Sequence, residues 1–344
     1  MQWLQLYEID AALVSSVLNG LTPAFSDYAA WLTNFADLVI IASPQRKLGE
    51  PDFSPLLQGS LKTELERLGL ASQEQIAFRK VADSRVLRGL ARLHDTKRVN
   101  SDYLPILGLE APKTRFARAQ ATDLLDLSHM GPPLLEALGV RKPLNLVMPS
   151  AVSHFPPETA SRQARALAAH LRGDPTDELM KGLGSATLTA SVLLKNSASA
   201  VCRGSTANER QRQEFATGLR QMADNTITFL PPSMLNGVLI EPRWLSCNDL
   251  PVGFNAALEL LASLSKRDYG EMQRQAQKWL DAPPEDVVLR REFDQVALSN
   301  LLLSLAHQGL WSELSAAEIK YGVKVNSQGP YLRQRQLLLA MASE

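Results

Sequence analysis

No uncharged apolar run reaches the roughly 18 residues that a membrane helix needs, so no membrane span is expected. The N-terminus has no basic stretch ahead of an apolar one, and no signal peptide is read there. Excess charge is also missing, since Lys+Arg and Asp+Glu both number 36. A balanced chain offers no electrostatic footprint for nucleic acid or an anionic membrane, so neither is expected as a partner. Cysteine is limited to Cys202 and Cys247. Two cysteines without metal or redox spacing suit a reducing, cytoplasmic setting and read as buried or idle thiols, though they could pair. His94, His129, His154, His170 and His307 show no His-x-x-x-His spacing, so no metal site is expected. His170 and His307 fall near helix C-termini, where an imidazolium would meet the dipole favourably. There is no G-x-S-x-G elbow, no P-loop ending and no G-x-G-x-x-G after a strand.

What remains is an ordinary globular composition. Hydrophobic residues make up 45% and charged residues 21% of 344 residues, enough for two or three domains. The stretch Gln2 to Ser43 carries the clearest pattern. An apolar, aromatic run from Trp3 to Tyr7 is followed by a helical segment with Leu13, Val14, Val17, Leu18 and Leu21 in register. Asp10 stands where an N-cap would, and Pro23 ends the helix. Two extended segments follow, Tyr28 to Leu32 and Leu38 to Ala42. The second, LVIIA, is β-branched and continuous, as in a strand buried on both faces. Strand, helix, strand, strand is a piece of an α/β sheet, too small to cover its own two faces. Trp3, Leu4, Leu6 and the LVIIA face are therefore expected to be more exposed than usual, or covered by another chain.

Two motifs in this region resemble a known family. QWLQLYEID, then Phe25, Trp31 and Asp37 to Ala42, is similar to the end of the catalytic domain in bacterial spermidine-synthase-like proteins. The branch in question is fused to a membrane-embedded N-terminal region. RVNSDYLPILGLEAPKTRF, Arg98 to Phe116, resembles that family's tail motif, with Ser101 and Tyr103 departing from it. The resemblance covers about the first third of the chain. It implies a Rossmann-like, methyltransferase-like sheet and aminopropyl transfer from decarboxylated S-adenosylmethionine to a diamine. Gln2, Trp3 and Tyr7 would border the acceptor pocket, with Asp102 on a tail loop near it. Trp3 and Tyr7 suit an ammonium by cation–π contact, and strand-core packing is the alternative. The family's donor site and catalytic aspartate precede its fifth strand, where this chain starts. No catalytic residue and no cofactor are therefore assigned here. The chain is expected to be inactive alone and to work with an upstream polypeptide carrying the rest of the sheet, or as a homodimer. Its location would be cytoplasmic, or membrane-associated through such a region.

Downstream, a helix after Phe53-Ser54-Pro55 runs through Leu68, with Gly69 as its C′ residue. Ser72 to Ala82 and Asp83 to Leu93 read as helices, the first with a Ser72–Gln75 capping box. Pro105 and Pro112 argue for an extended loop over Asn100 to Lys113. Beyond Thr114 the pattern is helical. The segments are Arg115 to Leu127, Pro133 to Leu138, Glu158 to Leu171, Thr176 to Leu194, Ala207 to Ala223, Asn255 to Leu264, Tyr269 to Leu280, Asp286 to His307, Ser312 to Tyr321 and Tyr331 to Ala342. Asn225 to Asn248 reads as a long ordered loop. Arg203, Arg210, Arg212 and Arg220, diluted by Glu209 and Glu214, read as a solvated helix face.

The expected fold class is α+β, mostly α: a partial Rossmann-like sheet followed by a helical, tetratricopeptide-like solenoid. An irregular bundle is the alternative, because no clean 34-residue period is present. The expected domains are residues 1–46 as the end of the sheet, 47–113 as a helical segment with a tail loop, and 114–344 as a helical extension. A second function class stands beside the enzyme fragment: a helical-repeat interaction scaffold without catalysis.

Overall fold

The computed structural model describes residues 1–34, 36–94, 97–129, 133–142, 155–174, 184–202, 207–245 and 250–343. It is 62% helix and 8% strand, so the mostly helical α+β expectation holds. The chain divides into two units. One comprises Met1–Met130, Leu138–Pro156 and Arg335–Glu344, and the other Gly131–Ala137 and Pro157–Gln334. Residues 1–46, 47–113 and the start of the expected helical extension thus share one unit.

The first unit is built on a four-stranded antiparallel sheet. Its strands are β1 (Gln2–Gln5), β2 (Asp27–Leu32), β3 (Asp37–Ser43) and β4 (Lys80–Asp83), in the order β1-β3-β2-β4. Since β3 runs antiparallel to both β1 and β2, those two strands are parallel to each other. Helix α1 (Ala11–Leu21) makes the crossover between them, with the Asp10 carboxylate accepting the Leu13 N–H at 2.8 Å. Paired residues share a face, and one face carries Leu4, Tyr28, Ala30, Leu32, Leu38 and Ile40, all buried. α1 packs against α4 (Ser84–Leu93), burying Leu13, Val14, Val17 and Leu18 with Val86, Leu87 and Leu90. Each such side chain contributes about 1.5–3 kcal/mol.

The other face carries a row across all four strands, Trp3–Val39–Trp31–Lys80. The Lys80 ammonium lies 6.0 Å from the Trp31 ring centre. LVIIA is therefore not buried on both faces. Leu38 and Ile40 are inside, Val39 is half-buried, and Ile41 is 42% exposed. The expected exposure falls on Trp3 and Ile41, whereas Leu4 and Leu6 are buried.

Between Ser72 and Lys113 the structure departs from the sequence expectation twice. The helix read over Ser72 to Ala82 stops early: α3 is Gln73–Phe78, with the Ser72–Gln75 capping box formed, and Lys80–Asp83 is a strand. α2 (Gly59–Arg67) precedes it, and Gly69 takes φ +77° after it. The expected tail loop is largely a helix, α5 (Ile106–Phe116), with Pro112 inside it. Pro105 is its N-cap, where a missing N–H costs nothing. The Asn100 carboxamide oxygen accepts the Leu107 N–H at 2.8 Å, and the Thr114 hydroxyl donates to the Glu8 carbonyl at 2.9 Å. These anchors offset the one backbone bond that Pro112 cannot make. α6 (Thr122–Leu125) completes this stretch.

The second unit is helical, as the sequence suggests. It holds α7 (Leu134–Ala137), most of α8 (Pro156–Arg172), α9 (Ser185–Val201), α10 (Glu209–Thr226), α11 (Pro232–Leu235), α12 (Val252–Lys266), α13 (Tyr269–Asp281), α14 (Val287–His307), α15 (Trp311–Tyr321) and the start of α16 (Gly329–Ala342). The expected helix over Thr176 to Leu194 begins outside the described residues. The long loop expected from Asn225 contains α11, and the Trp244 indole N–H donates to the Val238 carbonyl at 2.7 Å. α14 packs against α7, α10, α12, α13 and α15, and every residue from Val296 to Ala306 is buried. A helix apolar on all sides sits in the middle of its domain.

Candidate functional site

The four residues implied by the family resemblance lie on the surface of the first unit. Gln2 and Trp3 are on β1, where the Gln2 amide donates to the Trp3 carbonyl at 3.0 Å. Trp3 is 52% and Tyr7 37% exposed. Asp102 is exposed in the bend before α5. Its segment is held against α1: the Asn100 N–H donates to the Ser16 carbonyl at 2.9 Å, and the Asn19 amide donates to the Arg98 carbonyl at 3.1 Å. None of these four residues lines either of the two cavities beside α14.

A denser arrangement was missed in the sequence. Gln213, Thr217, Arg220 and Asp224 recur along one stripe of α10. Gln213 and Thr217 each donate to Glu292 Oε1 at 3.0 Å, and Arg220 Nε donates to Glu292 Oε2 at 2.7 Å. Arg220 also pairs with Asp224, whose other oxygen accepts the Tyr331 hydroxyl. Arg220 is therefore not part of a solvated face. Arg210 is, paired with Glu214 at 2.8 Å, while Arg203 lies outside the described residues. Loss of hydration holds the Asp224 carboxyl above its usual range, partly offset by the Arg220 charge. Burial pushes the Tyr331 phenol well above its ordinary value, and the Asp224 charge adds to this. A phenol so raised gives up no proton near neutral pH. The cluster is thus a set of fixed dipoles and charges rather than an acid–base pair.

No family model, no curated protein and no solved structure matches this chain.

Two cavities flank α14 in the second unit. One, of about 450 Å³, has apolar walls from Phe254, Trp279 and Leu289. Four of its charged side chains are paired internally, Lys278 with Glu259 at 3.6 Å and Arg212 with Asp286 at 3.3 Å, and Glu285 is a fifth on its wall. The other, of about 630 Å³, is polar and reaches Arg220 and Glu292 of the buried cluster. Among the described residues no three His, Cys, Asp or Glu side chains gather to hold a metal. His307 faces the Ala137 carbonyl through Nδ1 at 2.8 Å, so that nitrogen carries the proton, and its ring stacks on Tyr269 with centres 3.7 Å apart. Burial raises the Tyr269 phenol to about 12. Against expectation, His170 is not primed to be an imidazolium: burial and then the Lys195 charge lower its pKa. Cys202, expected as an idle thiol, is disulfide-bonded, and Cys247 lies outside the described residues.

Proposed function

We propose that the first unit is the closing part of a spermidine-synthase-like catalytic sheet and that this chain does not turn over substrate by itself. The observation that carries this reading is the strand arrangement. β1 and β2 are parallel and joined by α1, and β3 returns between them. A parallel pair with a helical crossover is the repeating piece of sheets covered on both faces. The outer edge of β1 and the Trp3–Ile41 face suit further strands and helices from an upstream polypeptide, or a second copy. Gln2, Trp3 and Tyr7 would then border a diamine pocket, with the half-exposed Trp3 ring available to an ammonium. Such a contact is worth about 0.5–2 kcal/mol, short of the roughly 4 kcal/mol of a millimolar site.

Calorimetric titration with decarboxylated S-adenosylmethionine and putrescine is the test. No saturable heat in the micromolar range is expected for either. Micromolar donor binding, or turnover lost in Trp3→Ala, would overturn the inactivity. The family assignment has its own check in the coding sequence upstream of Met1, where an in-frame strand, Gly-rich turn and helix are expected. The alternative, a helical-repeat scaffold, sits poorly with α14, since a repeat helix touches its neighbours in sequence rather than five helices.

A further inference from the structure

We propose that the polar cavity beside α14 binds a small dianion of the phosphate-monoester kind. Its walls are an extended loop and a helix. In the loop after α15, Val325 and Ser327 are buried while Lys324, Asn326 and Gln328 are exposed. This alternation sets one cation and two carboxamides on the cavity side. Opposite them, α14 presents Arg290 and Arg291, with Gln295 one turn further along. The Gln328 N–H donates to Gln295 Oε1 at 3.2 Å. That bond fixes the carboxamide so that its NH₂ end remains as a donor.

Four cations and two carboxylates line the cavity. Both carboxylates are already committed. Glu292 accepts from Gln213, Thr217 and Arg220. Asp294 accepts the Trp279 indole N–H at 2.8 Å and lies 3.7 Å from Arg290. Arg291 and Lys324 have no carboxylate within ion-pair distance among the described residues. The nearby charge felt by Lys324 is Asp281, which is itself bonded to Lys320 and Tyr321. Two cations without an ion pair of their own, sharing one cavity with neutral donors, match an oxyanion of charge near −2, and the Arg291 guanidinium is a planar fork suited to two of its oxygens. The volume of about 630 Å³ leaves room for a polar body behind the anion.

The test is calorimetry with inorganic phosphate at constant ionic strength, with citrate as the competing chemistry. Saturable phosphate binding is expected, weakened about fivefold by Arg291→Ala and by Lys324→Ala. Both residues are exposed, so the variants keep their fold. Arg210→Ala, outside the cavity, should bind as the parent does. No saturable phosphate heat at tens of millimolar, or equal loss in all three variants, would overturn the proposal. Tighter binding of citrate than of phosphate would overturn its phosphate part. None of these outcomes depends on the polyamine reading.

Discussion

Arg267 takes φ +56° at the C-cap of α12, in the left-handed region that a non-glycine residue enters only when held there. What holds it is a buried ion pair with Glu136 at 2.8 Å, plus donation to the Ile227 and Leu230 carbonyls at 2.8 and 3.1 Å. Arg267→Ala strands the Glu136 charge in the interior and should cost about 3–5 kcal/mol by urea denaturation. Arg274→Ala removes the pair with Glu271, at 2.5 Å no longer than the buried one but on the surface, and should leave the midpoint almost unmoved. Asp224 supplies a pH test. Its folded pKa is raised, so between the unfolded and folded values the native state binds more protons, and stability falls as pH rises through that window. Its contribution is most favourable below 3.8 and is lost as pH climbs through the raised folded value. Relative to Asp224→Asn, the parent should therefore gain stability as pH is lowered from neutral towards that value. A difference that stays flat with pH would mean that the Arg220 charge cancels the lost hydration, and one that shrinks as pH is lowered would mean that the Arg220 pair governs Asp224. None of this was legible in the sequence. Arg220 sits among Glu209, Arg210, Arg212 and Glu214 and looks solvated until Glu292, 72 positions away, is folded against it.

Local signals were read more easily at the scale of elements. Asp10, Ser72 and Gly69 each act through neighbours within a few residues, and the structure places all three where the sequence suggests. β4 and α5 were misread because their determinants are distant. Lys80–Asp83 becomes a strand only by pairing with Ala29 to Trp31, and α5 tolerates Pro112 because Asn100 and Glu8 anchor it. Gly20 tests that docking. A Cβ on Gly20 would lie 2.8 Å from the Asn100 carbonyl oxygen, a backbone atom that cannot swing aside. On an isolated helix Gly→Ala would stabilise by about 1 kcal/mol. Gly20→Ala should instead destabilise the chain by roughly 1–3 kcal/mol. A raised denaturation midpoint would show that the tail segment does not rest on α1.

At the scale of the whole chain, a linear array and a hub make different demands on the helical unit. In an array, stability is a sum of neighbour terms, and a core defect is felt one repeat away. Here α14 touches α10 and α12 as well as its sequence neighbours α13 and α15. Two of its buried polar side chains are tied outward too: the Asn300 amide donates to the Leu260 carbonyl at 3.2 Å, and Ser299 bonds to Gln334. Periodicity found the helices but not this arrangement, because a helix buried on all sides has no apolar stripe to say which neighbours it meets. Leu302, fully buried in α14, is the position to test. Leu302→Ala should cost about 2–5 kcal/mol. In hydrogen exchange, the hub arrangement has amide protection falling together in α10, α12, α13 and α15. Loss confined to α13 and α15, with α10 and α12 as protected as in the parent, would instead mark a linear array and return the scaffold reading to first place.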